Sequence, residues 1–335
     1  MDKSDQAGKY PPEHVTEVLN MQTKAATMRA LLKAGIVVSP GIYDGLSARM
    51  VEKAGFKAAS TGGSGFSNAR IGQPDIGLLS MMENVDACRH LARTVDIPIM
   101  ADAETGYGNP VTVFHAVQYF EEAGVVGMNI EDQVSPKRCG HMQGKELISP
   151  QEMAKKIEAA VKAKRDPDFI INARTDAIAV EGLDKAIARA KLYVTAGADM
   201  VFPDAVRSED DIKRFVDAVA APVSINMGFG IRSRPTTPLI SVQRFAELGV
   251  ARVSAARMLP AAALMGMHKA LEVLRDGLAT GKVHDRPDLI YGMEEITALM
   301  GYDKISALES QFLPDEQLER KYGSAQPDYV IRSRT

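Results

Sequence analysis

The chain is poor in cysteine: Cys88 and Cys139 are the only two in 335 residues. They are too few, and too far apart, to build a disulfide framework or a zinc knuckle, which suits a reducing compartment and leads us to expect a cytoplasmic protein. The chain also lacks a basic excess. Its 40 Lys and Arg face 43 Asp and Glu, for a net charge of −3. That balance argues against an extended phosphate-binding surface, and so against nucleic acid as a partner. A small anion could still meet a local basic cluster. No apolar run approaches the ~18 residues that a membrane span needs, so no membrane partner is expected. The first residues, MDKSDQAGKYPPEHV, hold no apolar stretch of the kind found in a secretory signal. Internal repeats and low-complexity segments are also absent.

What the chain does have is alternation. Hydrophobic residues make up 45% of it, enough for a large core. Short apolar, largely β-branched runs predict strands over 36–44, 57–61, 97–104, 125–133, 169–176, 199–205, 222–227 and 251–255. Amphipathic stretches over 45–54, 109–122, 151–163, 181–195, 208–219 and 242–248 predict helices between them. The pairs Ala54-Gly55, Ala123-Gly124 and Ala196-Gly197 each precede a strand and read as helix C-caps. Eight such units predict an α/β fold: a closed (β/α)8 TIM barrel rather than an open doubly wound sheet. The first turn, GIYDGLSAR, also lacks the GxGxxG spacing of a dinucleotide loop. Beyond residue 256 the pattern is helical, over 260–275, 289–299 and 303–312, with a tail over 325–335. We therefore expect a catalytic barrel with an N-terminal extension over 1–275 and a helical extension over 276–335. The extra helices need something to pack on, and another subunit would serve.

Barrel chemistry sits at the C-terminal ends of the strands. Here those ends carry Tyr43-Asp44, Ser60-Thr61, Asp102 and Glu104, Glu131-Asp132-Gln133, Asn172 with Arg174 and Asp176, Asp204 and Asn226. Any one of them can be a plain helix cap. Seven successive strands bringing carboxylates, amides and an arginine to one rim is a stronger pattern. Carboxylates at that density need a counter-charge, and a hard divalent cation fits. Asp102 is the first choice as ligand, with Glu104, Glu131 and Asp75 acting through water or from behind.

The long connection after the fourth strand holds Lys137-Arg138-Cys139-Gly140-His141. Long barrel loops often act as lids. Cys88 lies in an apolar helical run and reads as a small core residue. Cys139 stands among cations, which favour a thiolate, so it suits either a general acid or a nucleophile. Gly62, Gly63 and Gly65 offer backbone N–H groups for a carboxylate or oxyanion, or form a plain tight turn.

These segments resemble one family. TGGSGFSNARIGQPDIG, ADAETGYGNP, GMNIEDQVSPKRCGH and DPDFIINARTDAIAVEGLDKAIARAKLYVTAGADMVFPDA are similar, in that order, to the isocitrate lyase / phosphoenolpyruvate mutase superfamily over residues 30–275. KRCGH is the mark of its lyase branch. The resemblance implies a Mg2+-dependent carbon–carbon lyase, with Mn2+ as an alternative ion. Its substrate would be a 2-hydroxy di- or tricarboxylic acid of the 2-methylisocitrate or 2-alkylmalate type. Retro-aldol (retro-Claisen) cleavage would give a 2-oxo acid such as pyruvate, plus a carboxylate of the succinate or propionate type.

By the same resemblance Asp102 holds the ion, with Glu104, Glu131 and Asp75 nearby. Thr61, Gly62, Gly63 and Tyr43 hold the 2-oxo acid carboxylate, and Arg174 contacts the same end. Cys139 is the general acid, supported by Lys137, Gly140 and His141, while Asp204 and Asn226 line the site. Family members are commonly homotetramers that exchange C-terminal helices between subunits. This chain departs from the family at Glu104 (commonly Asp), at Asp204 (Glu in methylisocitrate lyases) and in GFGIRSRPTTP after Asn226. Arg232 and Arg234 in that last segment are either exposed residues or contacts for a distal carboxylate. Rival readings are an oxaloacetate hydrolase or decarboxylase on the same scaffold, and a non-catalytic carboxylate-binding barrel.

Overall fold

The structure, a computed structural model, describes residues 23–140, 142–232 and 236–323. The N-terminal segment, His141, Arg234 and the tail over 325–335 lie outside the described residues. Eight strands form the barrel: β1 (Val37–Ile42), β2 (Ala59–Thr61), β3 (Ile99–Asp102), β4 (Gly127–Glu131), β5 (Ile170–Thr175), β6 (Met200–Pro203), β7 (Ser224–Asn226) and β8 (Arg252–Ala255). Each falls inside its expected range. Neighbours pair in parallel in the order β6-β5-β4-β3-β2-β1-β8-β7. A parallel bridge between Val201 and Val223 joins the two end strands and closes the ring.

Side chains alternate along each strand. Met128, Ile130, Ile171 and Ala173 join the apolar layer shared with the surrounding helices. The alternate positions, Asn129 and Glu131 on β4 and Asn172 and Arg174 on β5, carry polar groups; Asn172 Nδ2 donates to Asn129 Oδ1 at 2.7 Å. The sequence thus builds most of its core outside the sheet and places polar groups on the inner face toward the rim, with an apolar plug including Met100, Ile170 and Met200 at the other end.

The helices follow from local signals. They are α1 (Lys24–Ala34), α2 (Gly45–Lys53), α3 (Gly63–Phe66), α4 (Met81–Thr94), α5 (Pro110–Glu122), α6 (Pro150–Ala163), α7 (Ala177–Val180), α8 (Leu183–Thr195), α9 (Glu209–Ala218) and α10 (Val242–Glu247). Asn109 and Ser149 cap α5 and α6, each with proline at the first turn. The expected starts at 109 and 208 are in fact cap residues, so those helices begin one residue later. The expected helix over 181–195 is α8 alone, because Gly182 takes φ +88° and separates it from α7. The three Ala-Gly pairs end their helices as expected, with left-handed glycines at 55, 124 and 197.

Besides the short α3 and α7, two longer helices of the barrel were absent from the sequence-based set. The first, α4, is fixed by a reciprocal cap between Ser80 and Glu83. The second, α1, closes the barrel at the end opposite the site: Met28 packs with Val37, Met100, Ile170 and Met200. Arg29 ties it to Asp199 at 2.8 Å.

After the barrel, α11 (Met258–Thr280) runs past both ends of its expected range and through residue 275. Then come α12 (Met293–Leu299), α13 (Tyr302–Phe312) and α14 (Asp315–Tyr322), the last not foreseen. These helices leave large apolar residues exposed, including Leu271, Leu278 and Phe312. Among the described residues, no helix is long and apolar enough to cross a membrane.

Candidate active site at the rim of the barrel

Asp102, at the end of β3, is held from several sides. Its backbone N–H donates to Thr61 Oγ1 at 2.9 Å, and its carbonyl accepts from Asn84 Nδ2 at 2.8 Å. Its carboxylate accepts from Gly63 N at 2.9 Å and from Glu104 N at 3.1 Å. Glu104 follows with φ +54°, a left-handed turn that ends the strand and keeps its side chain buried beside Asp102. This is why β3 stops short of the expected residue 104.

Lys137 reaches in from the connection after β4. Its Nζ lies 2.5 Å from Asp75 Oδ1 and 2.9 Å from Glu104 Oε2, all three side chains being buried. Gly63 leaves room for the group: a Cβ there would fall 2.5 Å from Glu104 Oε1 and 2.9 Å from Asp75 Oδ1. Burial pushes the Glu104 carboxyl up to about 7, with Asp102 and Asp75 adding to the shift and Lys137 opposing it. Burial alone would lower the Lys137 ammonium, but Glu131, Glu104, Asp75 and Asp102 hold it well above its usual value.

A second charge group adjoins the first. Arg174 Nε lies 2.9 Å from Asp176 Oδ2 and 3.2 Å from Glu131 Oε2, and its Nη2 lies 3.5 Å from Asp204 Oδ2. Burial pushes Glu131 well up, although Arg174 and Lys137 oppose that. Burial would raise Asp176 as well, but Arg174 and Lys145 more than offset it and hold it low. Lys145 donates to the Gly140 carbonyl at 2.6 Å and to Asp176 at 2.9 Å, so it pins the loop to the rim. Gly140 presses against the same group: a Cβ there would fall 2.1 Å from Asp204 Oδ2.

Cys139 is half-buried on this loop. Its backbone N–H donates to the Asp75 carbonyl at 3.0 Å. Gln133 sets the approach: Arg138 N donates to its Oε1 at 3.0 Å, and its Nε2 donates to Arg138 O at 2.9 Å and Glu131 Oε1 at 3.1 Å. The Cys139 side opens on a cavity of about 360 Å3, lined also by Asp75, Arg232 and Arg257.

The structure thus brings Asp75, Asp102, Glu104, Glu131, Lys137, Cys139, Gly140, Arg174 and Asp204 to one rim, with Thr61, Gly62 and Gly63 beside Asp102. Asn226 stands on the β7–β8 side, where its Oδ1 accepts from Ser254 Oγ at 3.3 Å. Tyr43 follows β1; burial, then Asp44, raises its pKa, so it is a neutral donor. Other strand-end groups serve the fold. Asp44 caps α2, and Asp132 accepts from Thr175 Oγ1 at 2.8 Å and Tyr193 OH at 2.7 Å. Cys88 is fully buried, which pushes its thiol up to about 12. Lys145 and Arg257 went unread in the sequence, and Gln133 was read only as one of the polar residues ending the fourth strand. The only signal for Arg257 was its place two residues beyond a strand.

Several carboxylate oxygens at the rim lack a hydrogen bond among the described residues: Asp75 Oδ1, both Glu104 oxygens and Glu131 Oε2, although Lys137 and Arg174 lie near as ion-pair partners. Among the described residues no three side chains already form a closed cage for a cation. Mg2+ does not require one, because it takes one or two carboxylates and keeps several waters. The donors present are hard oxygens and fit that ion.

A family model described as phosphoenolpyruvate phosphomutase matches residues 28–275. The chain is 40% identical to a 2-methylisocitrate lyase of Aeropyrum pernix, covering 84% of this chain and 89% of that one. It is 37% identical to a 2,3-dimethylmalate lyase of Eubacterium barkeri, covering 86% and 98%. Among solved structures, an oxaloacetate acetylhydrolase in complex with 3,3-difluorooxalacetate matches with a TM-score of 0.79 at 31% identity, covering 86% of this chain and 97% of that one. A phosphonopyruvate hydrolase complex with oxalate and Mg2+ matches with a TM-score of 0.75 at 30% identity, covering 88% and 100%. The chain belongs to the phosphoenolpyruvate mutase / isocitrate lyase superfamily, among its carbon–carbon lyases.

Proposed function

We propose that this protein is a Mg2+-dependent lyase that cleaves a 2-hydroxy acid bearing a carboxylate on the neighbouring carbon, releasing a 2-oxo acid such as pyruvate and a second carboxylic acid. One observation carries this reading: Cys139 sits half-buried on a loop whose backbone is tied to Asp75, beside a buried carboxylate cluster with unsatisfied oxygens.

Asp102 would hold the cation, with Glu104, Glu131 and Asp75 acting through water; Mn2+ suits the same oxygens. The bound ion would supply Lewis-acid stabilisation of charge on the substrate's 2-hydroxyl oxygen. Arg174, neutral Tyr43, Thr61 and the Gly62–Gly63 backbone would bind and orient the 2-oxo acid end, with Asn226 and Asp204 lining it. A rim carboxylate, Glu104 first, takes the hydroxyl proton. A carboxylate beside a bound cation is ionised near neutrality and can accept, whereas the raised phenol of Tyr43 is a poor acceptor there.

As the carbon–carbon bond breaks, the electron pair stays on the carbon of the departing acid. Cys139 delivers a proton to that carbon and becomes a thiolate. Lys137, Gly140 and, outside the described residues, His141 support it. Lys145 and Gln133 hold the loop down and so help exclude water from the carbanion.

The partner on this reading is a small carboxylic acid. The apolar faces of the C-terminal helices support a homotetramer with exchanged helices, and the sparse cysteines support a cytoplasmic enzyme. The second reading, cleavage of oxaloacetate, is favoured by the oxaloacetate acetylhydrolase match.

Cys139→Ser tests the proposal. Turnover should fall on the order of 10²-fold or more, while pyruvate and Mg2+ still bind. Unchanged turnover would remove Cys139 from the chemistry.

A further inference from the structure

Asn84 is fully buried in α4, at a helical position where asparagine is a poor choice on propensity alone. A buried amide needs partners, and Asn84 finds its donor partners at the turn that carries Asp102 and Glu104. Its Nδ2 donates to the Asp102 carbonyl at 2.8 Å and to Tyr107 OH at 2.7 Å. Its Oδ1 accepts from Cys88 Sγ at 3.5 Å, one helical turn on. Cys88 is fully buried and keeps its proton, so it can donate.

The Asp102 carbonyl needs such a donor because of where β2 stops. Ser60 pairs with Met100 in the β2–β3 register, so a partner for Asp102 would stand at residue 62. β2 ends at Thr61, and Gly62 is already the cap of α3. The backbone N–H of Asp102 is therefore taken by the Thr61 hydroxyl, and its carbonyl by Asn84. A carbonyl only accepts, so the amide must turn its Nδ2 toward it and its Oδ1 toward Cys88.

The turn beyond Asp102 is strained. Glu104 and Tyr107 take φ +54° and +63° without being glycine, and Gly106 between them takes +82°. Side chains in the left-handed region are unfavourable, so such a turn persists only when its surroundings hold it. Here the two N–H groups of one amide hold its first and last residues. The Tyr107 ring stacks on Phe120 with centroids 6.3 Å apart, which steadies the hydroxyl end. Glu104 lies between the two anchored residues.

We propose that Asn84 is the positioning residue of the cation site: it clamps both ends of the 102–107 turn and so fixes the Asp102 and Glu104 carboxylates for a divalent cation. It acts through those residues rather than on the substrate. This deepens the lyase reading and rests on it for the cation's part in the reaction, whereas cation binding itself is measured without turnover.

The test is calorimetric titration of MgCl2 into wild type, Asn84→Leu and Tyr107→Phe, each freed of metal with EDTA and dialysed, with thermal unfolding alongside. Asn84→Leu keeps the volume and removes both donors. Its Mg2+ Kd should rise about 10- to 100-fold. Tyr107→Phe keeps the ring on Phe120 and removes one of the two contacts, so its Kd should rise by less, about 2- to 10-fold. With 2-methylisocitrate as substrate, Asn84→Leu should need more Mg2+ for its half-maximal rate and recover most of its kcat at saturating Mg2+. A merely structural role would lower the thermal midpoint and leave the Mg2+ Kd where it was.

An Asn84→Leu protein that folds and binds Mg2+ as the wild type does overturns the proposal. Should that variant fail to fold, Tyr107→Phe decides, and an unchanged Mg2+ affinity there overturns it. A wild type that binds Mg2+ but cleaves nothing removes the lyase reading alone, and the calorimetry still decides the role of Asn84. A wild type that binds no Mg2+ removes the cation site and this proposal with it.

Discussion

The Nζ of Lys137 lies 2.5 Å from Oδ1 of Asp75, with both side chains buried. This contact joins the connection after β4 to the one after β2, and places one cation among four carboxylates. In the metal-free protein, Lys137→Met leaves those carboxylates without their nearest counter-charge. Unfolding free energy should drop by about 3–5 kcal/mol. Adding MgCl2 should recover part of the loss, since an ion bound at Asp102 replaces the missing charge. Denaturant unfolding with and without the salt measures this, and a variant insensitive to Mg2+ would argue against a cation site there.

Gly140 gives a different kind of prediction. A methyl group at this position collides with Asp204 and with Arg174 Nη2, which lies 2.4 Å from the ideal Cβ. The loop can lift away only by giving up the Lys145 hydrogen bond to the Gly140 carbonyl, so Gly140→Ala should lose about 1–3 kcal/mol of stability and stay folded. Its kcat/KM should nonetheless fall on the order of 10²-fold, because Cys139 moves with the loop. Unaltered kinetics would show that the loop position has no bearing on the reaction.

Asp132 separates fold from chemistry. It receives the hydroxyls of Thr175 and Tyr193 and the backbone N–H of Asp176, and points away from the rim cluster. Asp132→Ala should cost about 3–5 kcal/mol by stranding Arg189 and these donors. Where the variant remains folded, its KM should stay close to that of the wild type.

Glu104 fixes a pH dependence. Its carboxyl rises from 4.5 to about 7 on folding, first through burial. The metal-free folded chain therefore binds this proton more tightly than the unfolded chain does. The resulting stabilisation is complete below the unfolded value and is lost as pH rises through about 7. Glu104→Gln removes the titration. The stability of the variant relative to wild type should accordingly rise between about pH 5 and 8, as followed by thermal unfolding in EDTA. Parallel profiles would contradict the assignment.

Much of this architecture is written in local sequence. All eight strands were legible because strands buried on both faces concentrate apolar, β-branched residues, and because polar residues ending seven of them mark the rim. The ends were read long where backbone geometry intervenes: nothing in ADAETG announces that Glu104 takes φ +54°. Helix α1 was missed because its burial is tertiary, resting on Met28 against residues from six separate strands or turns. The carboxylate cluster was legible as a density of acids at strand ends. Its wiring was not, because Lys145 and Arg257 are single cations whose role depends on where a loop folds back. Asp132 looked equivalent to Glu131 in sequence, yet alternation along the strand sends one inward and the other toward the helices.

The central claim is the cleavage itself. Purified protein should be incubated with Mg2+ and, separately, with 2-methylisocitrate, isocitrate, 2,3-dimethylmalate and oxaloacetate, and followed by proton NMR beside an EDTA control. The account predicts pyruvate with succinate from 2-methylisocitrate, abolished by EDTA. Oxalate and acetate from oxaloacetate, with no pyruvate from the hydroxy acids, would contradict it.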